Sequence, residues 1–189
     1  MNILLTGTPG VGKTTVLTQI QHHLQDNDYR IGGLYCPEIR INRQRVGFKI
    51  INLMTRTEGI LSHINCKGPR VGKYRVNLSD LDDIGTSAIY QALDQADFIL
   101  IDEIAPMELH SQNFCRAVSE AFDSPKTVIA VIHKKSRNPF ILKLKNRDDV
   151  KIFEITKENR DSIHRDILKK LFYGDNLFIN SNRIKHEDV

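Results

Sequence analysis

The segment Gly7-Thr8-Pro9-Gly10-Val11-Gly12-Lys13-Thr14 fits GxxxxGK[ST] at every fixed position, with Thr15 beside it. Glycines at this spacing let the main chain curl closely around phosphate oxygens and turn its N–H groups toward negative charge. A helix beginning near Lys13 aims its positive end at the same point. The Lys13 ammonium reaches the β- and γ-phosphates, and the Thr14 hydroxyl is suited to hold Mg²⁺. With glycine near 7 % of residues, such a match arises by chance in about one chain per hundred. Its position between an apolar run and a helical pattern lowers those odds further. The segment is expected to bind a nucleoside triphosphate.

A second set of groups completes that chemistry. The apolar run Phe98-Ile99-Leu100-Ile101 stops at Asp102-Glu103. A carboxylate at Asp102 holds the magnesium hydration shell opposite Thr14. Glu103, at the carboxyl end of the same strand, is expected to polarise a water for attack on the γ-phosphate. Phosphoryl transfer also benefits from an extra cation. The candidates are Arg70 and Lys73 in GPRVGKY, with Arg40 and Arg43 weaker ones. The densest basic region, from His133 to Arg147, has only Phe140 among its charges and lacks an RNA-binding aromatic signature. A nucleic-acid partner is therefore not expected.

These residues need a sheet to hold them. Ile3–Leu5 reads as a buried parallel strand. A helix follows from Lys13 to about Gln25, with Val16, Leu17, Ile20 and Leu24 on one face. Ile31–Cys36, Arg45–Leu53 and Gly59–Leu61 read as antiparallel strands inserted after that helix. A strand near Tyr74–Leu78 and a helix over Ser79–Gln95 precede the Phe98–Ile101 strand. A helix near Ser111–Phe122, strand Thr127–Ile132, helix Pro139–Leu144, strand Val150–Ile155 and helix Arg160–Phe172 complete the order. Strands alternating with helices imply an α/β fold, a mostly parallel sheet between helices carrying an antiparallel hairpin insertion. The expected domain is 1–173, with a polar C-terminal tail over 174–189.

Composition sets outer limits. The 189 residues carry a net charge of +4, with 40 % hydrophobic and 26 % charged side chains, as one globular domain does. Cys36, Cys66 and Cys115 have no CxxC spacing, so neither a disulfide framework nor a zinc site is expected. The histidines lack HExxH-type spacing, and no apolar run approaches the ~18 residues of a membrane span. A cytoplasmic monomer without membrane contact is the expectation.

The ordered segments GTPGVGKTT, GGLYCPEIR, RVGFKIINL, GPRVGKYRVN, IDEIAPMEL and TKENRD resemble the THEP-type nucleoside-triphosphatases, also called cancer-related nucleoside-triphosphatases. The resemblance runs from Asn2 to about Phe172. It implies a P-loop ATPase-like fold, a catalytic glutamate beside the metal-binding aspartate, and hydrolysis of ATP, GTP and other triphosphates with broad tolerance for the base. Gly7–Thr14 then form the phosphate loop, and Asp102 with Glu103 are the metal and water carboxylates. Two departures stand out. Ala105 occupies the position where the family usually has Gly, and Cys36-Pro37-Glu38 replaces its Thr-x-Glu. Two other functions compete: a small nucleoside or nucleotide kinase, and an ATP-dependent switch module. A Ras-like switch is disfavoured, because Thr156-Lys157-Glu158-Asn159 lacks the aspartate of [NT]KxD.

Overall fold

The computed structural model describes residues 1–174, so the expected tail lies almost wholly outside the described residues. Strand β1 (Asn2–Gly7) is buried along its whole length. It leads through a glycine-rich turn into helix α1 (Lys13–Asp26). Strands β2 (Ile31–Tyr35), β3 (Glu38–Ile41), β4 (Gln44–Asn52), β5 (Glu58–His63), β6 (Arg70–Val71) and β7 (Tyr74–Val76) follow. Next come α2 (Leu78–Asp80), a π-helical stretch (Leu81–Thr86), α3 (Ser87–Gln95) and β8 (Phe98–Ile104). The described residues end with α4 (Gln112–Asp123), β9 (Thr127–Ile132), α5 (Pro139–Lys145), β10 (Val150–Ile155) and α6 (Ile163–Tyr173).

The strands form one ten-stranded sheet in the order β10-β1-β9-β8-β2-β4-β5-β7-β6, with β3 on β4. From β10 to β2 every pairing is parallel; from β4 onward every pairing is antiparallel. Side-chain alternation along β1 produces the layers. Leu4 joins the apolar cluster under α3 and α4, whereas Ile3 and Leu5 join the one under α1 and α6. Helices therefore cover both faces of the parallel half, giving the expected three-layer α/β arrangement.

Several local expectations need correction. Ile31–Tyr35 does not belong to the antiparallel insertion, because β2 pairs parallel with β8. Its IGGLY sequence lets α3 pack closely on β2 and lets β2 run tightly alongside β8. A Cβ at Gly32 would lie 2.5 Å from that of Ala92 in α3, and one at Gly33 only 2.0 Å from the Leu100 carbonyl oxygen. The inserted part is also larger than a hairpin, because β6 and β7 extend it. The β3–β4 turn is two residues, Asn42 and Arg43, both at positive φ (49° and 64°), the geometry that suits the twist of paired strands.

The helix expected over Ser79–Gln95 is interrupted by a π-helical stretch, where a Cβ at Gly85 would lie 2.6 Å from Ile50 Cδ1. The last helix starts at Ile163 rather than Arg160. Asn159 holds the preceding residues in a turn, accepting from the Thr156 N–H at 2.8 Å and donating to the Glu154 carbonyl at 2.9 Å.

Candidate active site

The sheet brings the carboxyl ends of β1, β8 and β2 together, with the β9 end between β1 and β8. Ligands bind at such ends in open parallel sheets. The phosphate loop leaves β1 at Gly7, where a side chain is impossible: a Cβ would sit 2.6 Å from the Ile155 carbonyl oxygen of β10. Gly12 precedes α1 at φ 112°, in the left-handed region that glycine accepts without strain. From there α1 starts with Lys13, whose ammonium donates to the Thr8 carbonyl at 3.3 Å, within the loop it would leave for a phosphate.

Thr14 and Asp102 meet across the sheet. The Thr14 hydroxyl donates to Asp102 Oδ2 at 2.9 Å. Asp102 is only 4 % exposed. Burial pushes its carboxyl up to about 7; the Thr14 hydrogen bond opposes the rise, Glu103 adds to it and Lys13 resists it. Burial also raises Glu103, against the pull of Lys13 and His133. A third carboxyl, Glu108, is buried a turn further on and accepts from the Ala105 N–H at 3.0 Å. Burial, and then the charge of Glu103, hold it well above the ordinary carboxyl range. Carboxyls gathered in a dry cleft are an incomplete charge arrangement that a bound cation stabilises.

The donor set is compatible with Mg²⁺. Thr14 Oγ1 and Asp102 Oδ2 are hard oxygen donors at the end of the phosphate loop, and Mg²⁺ takes one or two protein oxygens plus phosphates and waters. Among the described residues no group of three or more His, Cys, Asp and Glu could hold a metal by itself. An ion completed by substrate oxygens fits that finding; a caged structural metal does not.

A cavity of 470 Å³ joins Pro9, Gly10, Gly12, Lys13, Thr14, Asp102 and Glu103. Gly7, Thr8, Val11 and Thr15 shape the loop without lining this space. Arg70 and Lys73 are not brought to it. Arg70 Nε donates to the Gly72 carbonyl at 2.9 Å, and the Lys73 ammonium lies 5.4 Å from the Tyr74 ring centre, both within the β6–β7 hairpin. The cation that does line the cavity from the antiparallel wing is Arg45. It pairs with Glu38 at 2.6 Å and donates to the Tyr74 hydroxyl at 2.9 Å.

Sequence reasoning passed over Arg45, Glu108 and Phe48 as cavity groups. Their only local signal was the alternation of β4 and the acid six residues after Asp102. Of the two departures, Ala105 is not among the positive-φ residues, so its methyl group meets no backbone penalty here. Cys36 lines the cavity, and burial with the nearby carboxylates of Glu108, Asp102 and Glu103 keeps its thiol protonated well above its usual range.

The chain matches the family described as NTPase over residues 2–168. It is 48 % identical to nucleoside-triphosphatase THEP1 of Thermotoga maritima over 175 residues, covering 92 % of this chain and 97 % of that one. Among solved structures it resembles THEP1 from the hyperthermophile Aquifex aeolicus, at a TM-score of 0.81 and 32 % identity, covering 91 % of this chain and 99 % of that one. It also resembles a human cancer-related nucleoside triphosphatase in solution, at 0.78 and 33 %, covering 90 % and 97 %.

Proposed function

The chain belongs to the NTPase family, and from that premise and the cavity above we infer that it hydrolyses nucleoside triphosphates to diphosphate and phosphate, using Mg²⁺. The observation that carries this reading is the 2.9 Å contact of Thr14 with buried Asp102, beside Glu103 and Lys13 in one cavity. The phosphate loop binds the triphosphate tail through its N–H groups, and Lys13 exchanges the Thr8 carbonyl for the β- and γ-phosphate oxygens. Thr14 and Asp102 would hold Mg²⁺, which would supply positive charge to offset that of the phosphate oxygens. Glu103 accepts a proton from water as the water oxygen attacks the γ-phosphorus, and the bridging oxygen leaves with the diphosphate.

Base tolerance is broad in this reading, GTP included, because the loop reads phosphates and ignores the base. Arg70 and Lys73 supply a transition-state cation only if the β6–β7 hairpin swings toward the phosphates, so Lys13 is the principal positive group. A cytoplasmic monomer with no nucleic-acid partner remains our proposal. Absence of a helix long and apolar enough to cross a membrane among the described residues is compatible with it.

Glu103→Gln tests the mechanism. Phosphate release from ATP, GTP, CTP and UTP with Mg²⁺ should fall by about 10²-fold or more, while calorimetric nucleotide affinity stays within a few-fold. Turnover at the wild-type rate would remove Glu103 from its role.

A further inference from the structure

The cavity has two ends of different chemistry. One is the phosphate loop with its carboxylates; the other is an apolar chamber formed by Phe48, Leu61, Val71 and Met107, with the Glu38–Arg45 pair at its edge. We propose that this chamber is an acceptor subsite for a neutral nucleoside, and that the protein passes the γ-phosphoryl group to a nucleoside hydroxyl as well as to water. The proposal rests on the hydrolase reading for its phosphoryl donor.

Orientation is the first argument. Thr14 and Asp102 mark the β,γ end of a bound triphosphate. On the β10 side of β1, the Arg160 side chain flanks Gly12, lying 3.6 Å from where a Cβ there would be. In this proposal the donor's own sugar and base leave toward that side, along the Arg160 side chain. The apolar chamber lies the other way, past Asp102 and Glu103 toward β2 and β4. In this proposal a second molecule occupies it.

Size and charge narrow that molecule. The cavity measures 470 Å³, the triphosphate's share included, within the range of organic-ligand pockets, and the Phe48, Leu61, Val71 and Met107 side chains lining its far end suit an organic molecule better than an attacking water. The one cation lining the chamber end, Arg45, is already paired with Glu38 at 2.6 Å, so an anionic acceptor such as a nucleoside monophosphate finds no unpaired cation there. A nucleobase suits what remains. Its flat faces fit between Phe48 and the aliphatic wall, and its edge of mixed donors and acceptors matches the Arg45 guanidinium and the Glu38 carboxylate. That pair has further support: the Arg45 guanidinium lies 5.1 Å from the Phe48 ring centre. The step balances without a further reagent. Glu103 takes the hydroxyl proton, the hydroxyl oxygen bonds to the γ-phosphorus, and the bond to the β,γ-bridging oxygen breaks, releasing a nucleoside diphosphate and a phosphorylated nucleoside.

The test uses the full chain with γ-³²P-labelled ATP and Mg²⁺, alone and with adenosine, guanosine, cytidine, uridine or thymidine. Labelled nucleoside monophosphate should form with at least one nucleoside. Leu61→Trp, which fills the chamber, and Arg45→Met, which strips its polar edge, should each lower the ratio of nucleotide product to phosphate at least tenfold. The wild-type result decides the matter whether or not Leu61→Trp folds. Label appearing only in inorganic phosphate with every nucleoside overturns the acceptor subsite and leaves hydrolysis standing. ADP forming only when a nucleoside is present upholds the subsite and overturns the hydrolase reading instead.

Discussion

Asp102, Glu103 and Glu108 are held in one cleft by residues that do not neutralise all of them, and this has a measurable consequence in the protein free of metal and nucleotide. Their carboxyls are raised, Asp102 to about 7. A carboxyl raised on folding binds more protons in the native state than in the unfolded one. Its contribution is complete below the unfolded value near 4 and is lost as pH rises through the folded value. The melting temperature should therefore fall between about pH 5 and pH 8. Glu108→Gln, which keeps an oxygen for the Ala105 N–H, should flatten that slope. An unchanged slope in differential scanning calorimetry would mean that Glu108 is ionised in the folded protein. At the same scale, Lys13→Ala should weaken calorimetric binding of Mg²⁺–ATP at least tenfold, since it removes the charge that meets the β- and γ-phosphates.

Elements position these groups, and the strand starts matter as much as the loops. Asn2, 2 % exposed, ties four segments together at the foot of the sheet. Its Nδ2 donates to the Phe122 carbonyl at 3.3 Å and to Asp149 at 2.9 Å, and its Oδ1 accepts from the Val128 N–H at 2.9 Å. Through these bonds β1, β9, the end of α4 and the turn before β10 are held in register. Asn2→Ala leaves a buried N–H without a partner and should cost about 2–3 kcal/mol in urea denaturation, with no change in m-value. A cost near zero would show that water reaches this corner. At the opposite end of the sheet, β8 shifts register against β9 between Ile101 and Ile104, where Asp102 and Glu103 drop out of the pairing with β9 while Asp102 stays paired with Tyr35 of β2.

For the whole molecule, the parallel half and the antiparallel wing meet along β2 and β4, and the cavity spans that seam. A ligand that binds only the folded chain stabilises it by mass action. At about a hundred times its dissociation constant, Mg²⁺–nucleotide should add about 2.7 kcal/mol, a rise of about 5–10 °C in melting temperature for a chain of this size. Chelating the metal at the same nucleotide concentration should remove most of that rise, if Thr14 and Asp102 share the ion with the phosphates.

Local sequence was sufficient for the path of the glycine-rich loop, because that path depends on consecutive residues: glycines that permit one backbone course, then a lysine and a threonine on the first helical turn. The apolar strand ending in Asp102-Glu103 was legible for the same reason, and so was β9, whose nearly continuous buried run matches Thr127–Ile132; β10 matches Val150–Ile155 by position, though only Val150 and Ile155 of it are buried. Tertiary structure alone decided that β2 joins the parallel half, since its glycines answer to Ala92 and Leu100 rather than to their own neighbours. It also decided which cation lines the cavity. Arg70 and Lys73 sit on a glycine-punctuated loop that reads as a site, but β-sheet pairing carries Arg45 to the cavity and leaves those two at a hairpin turn. Cross-strand neighbours are set by register between segments distant in the chain, and no spacing within a single segment records it.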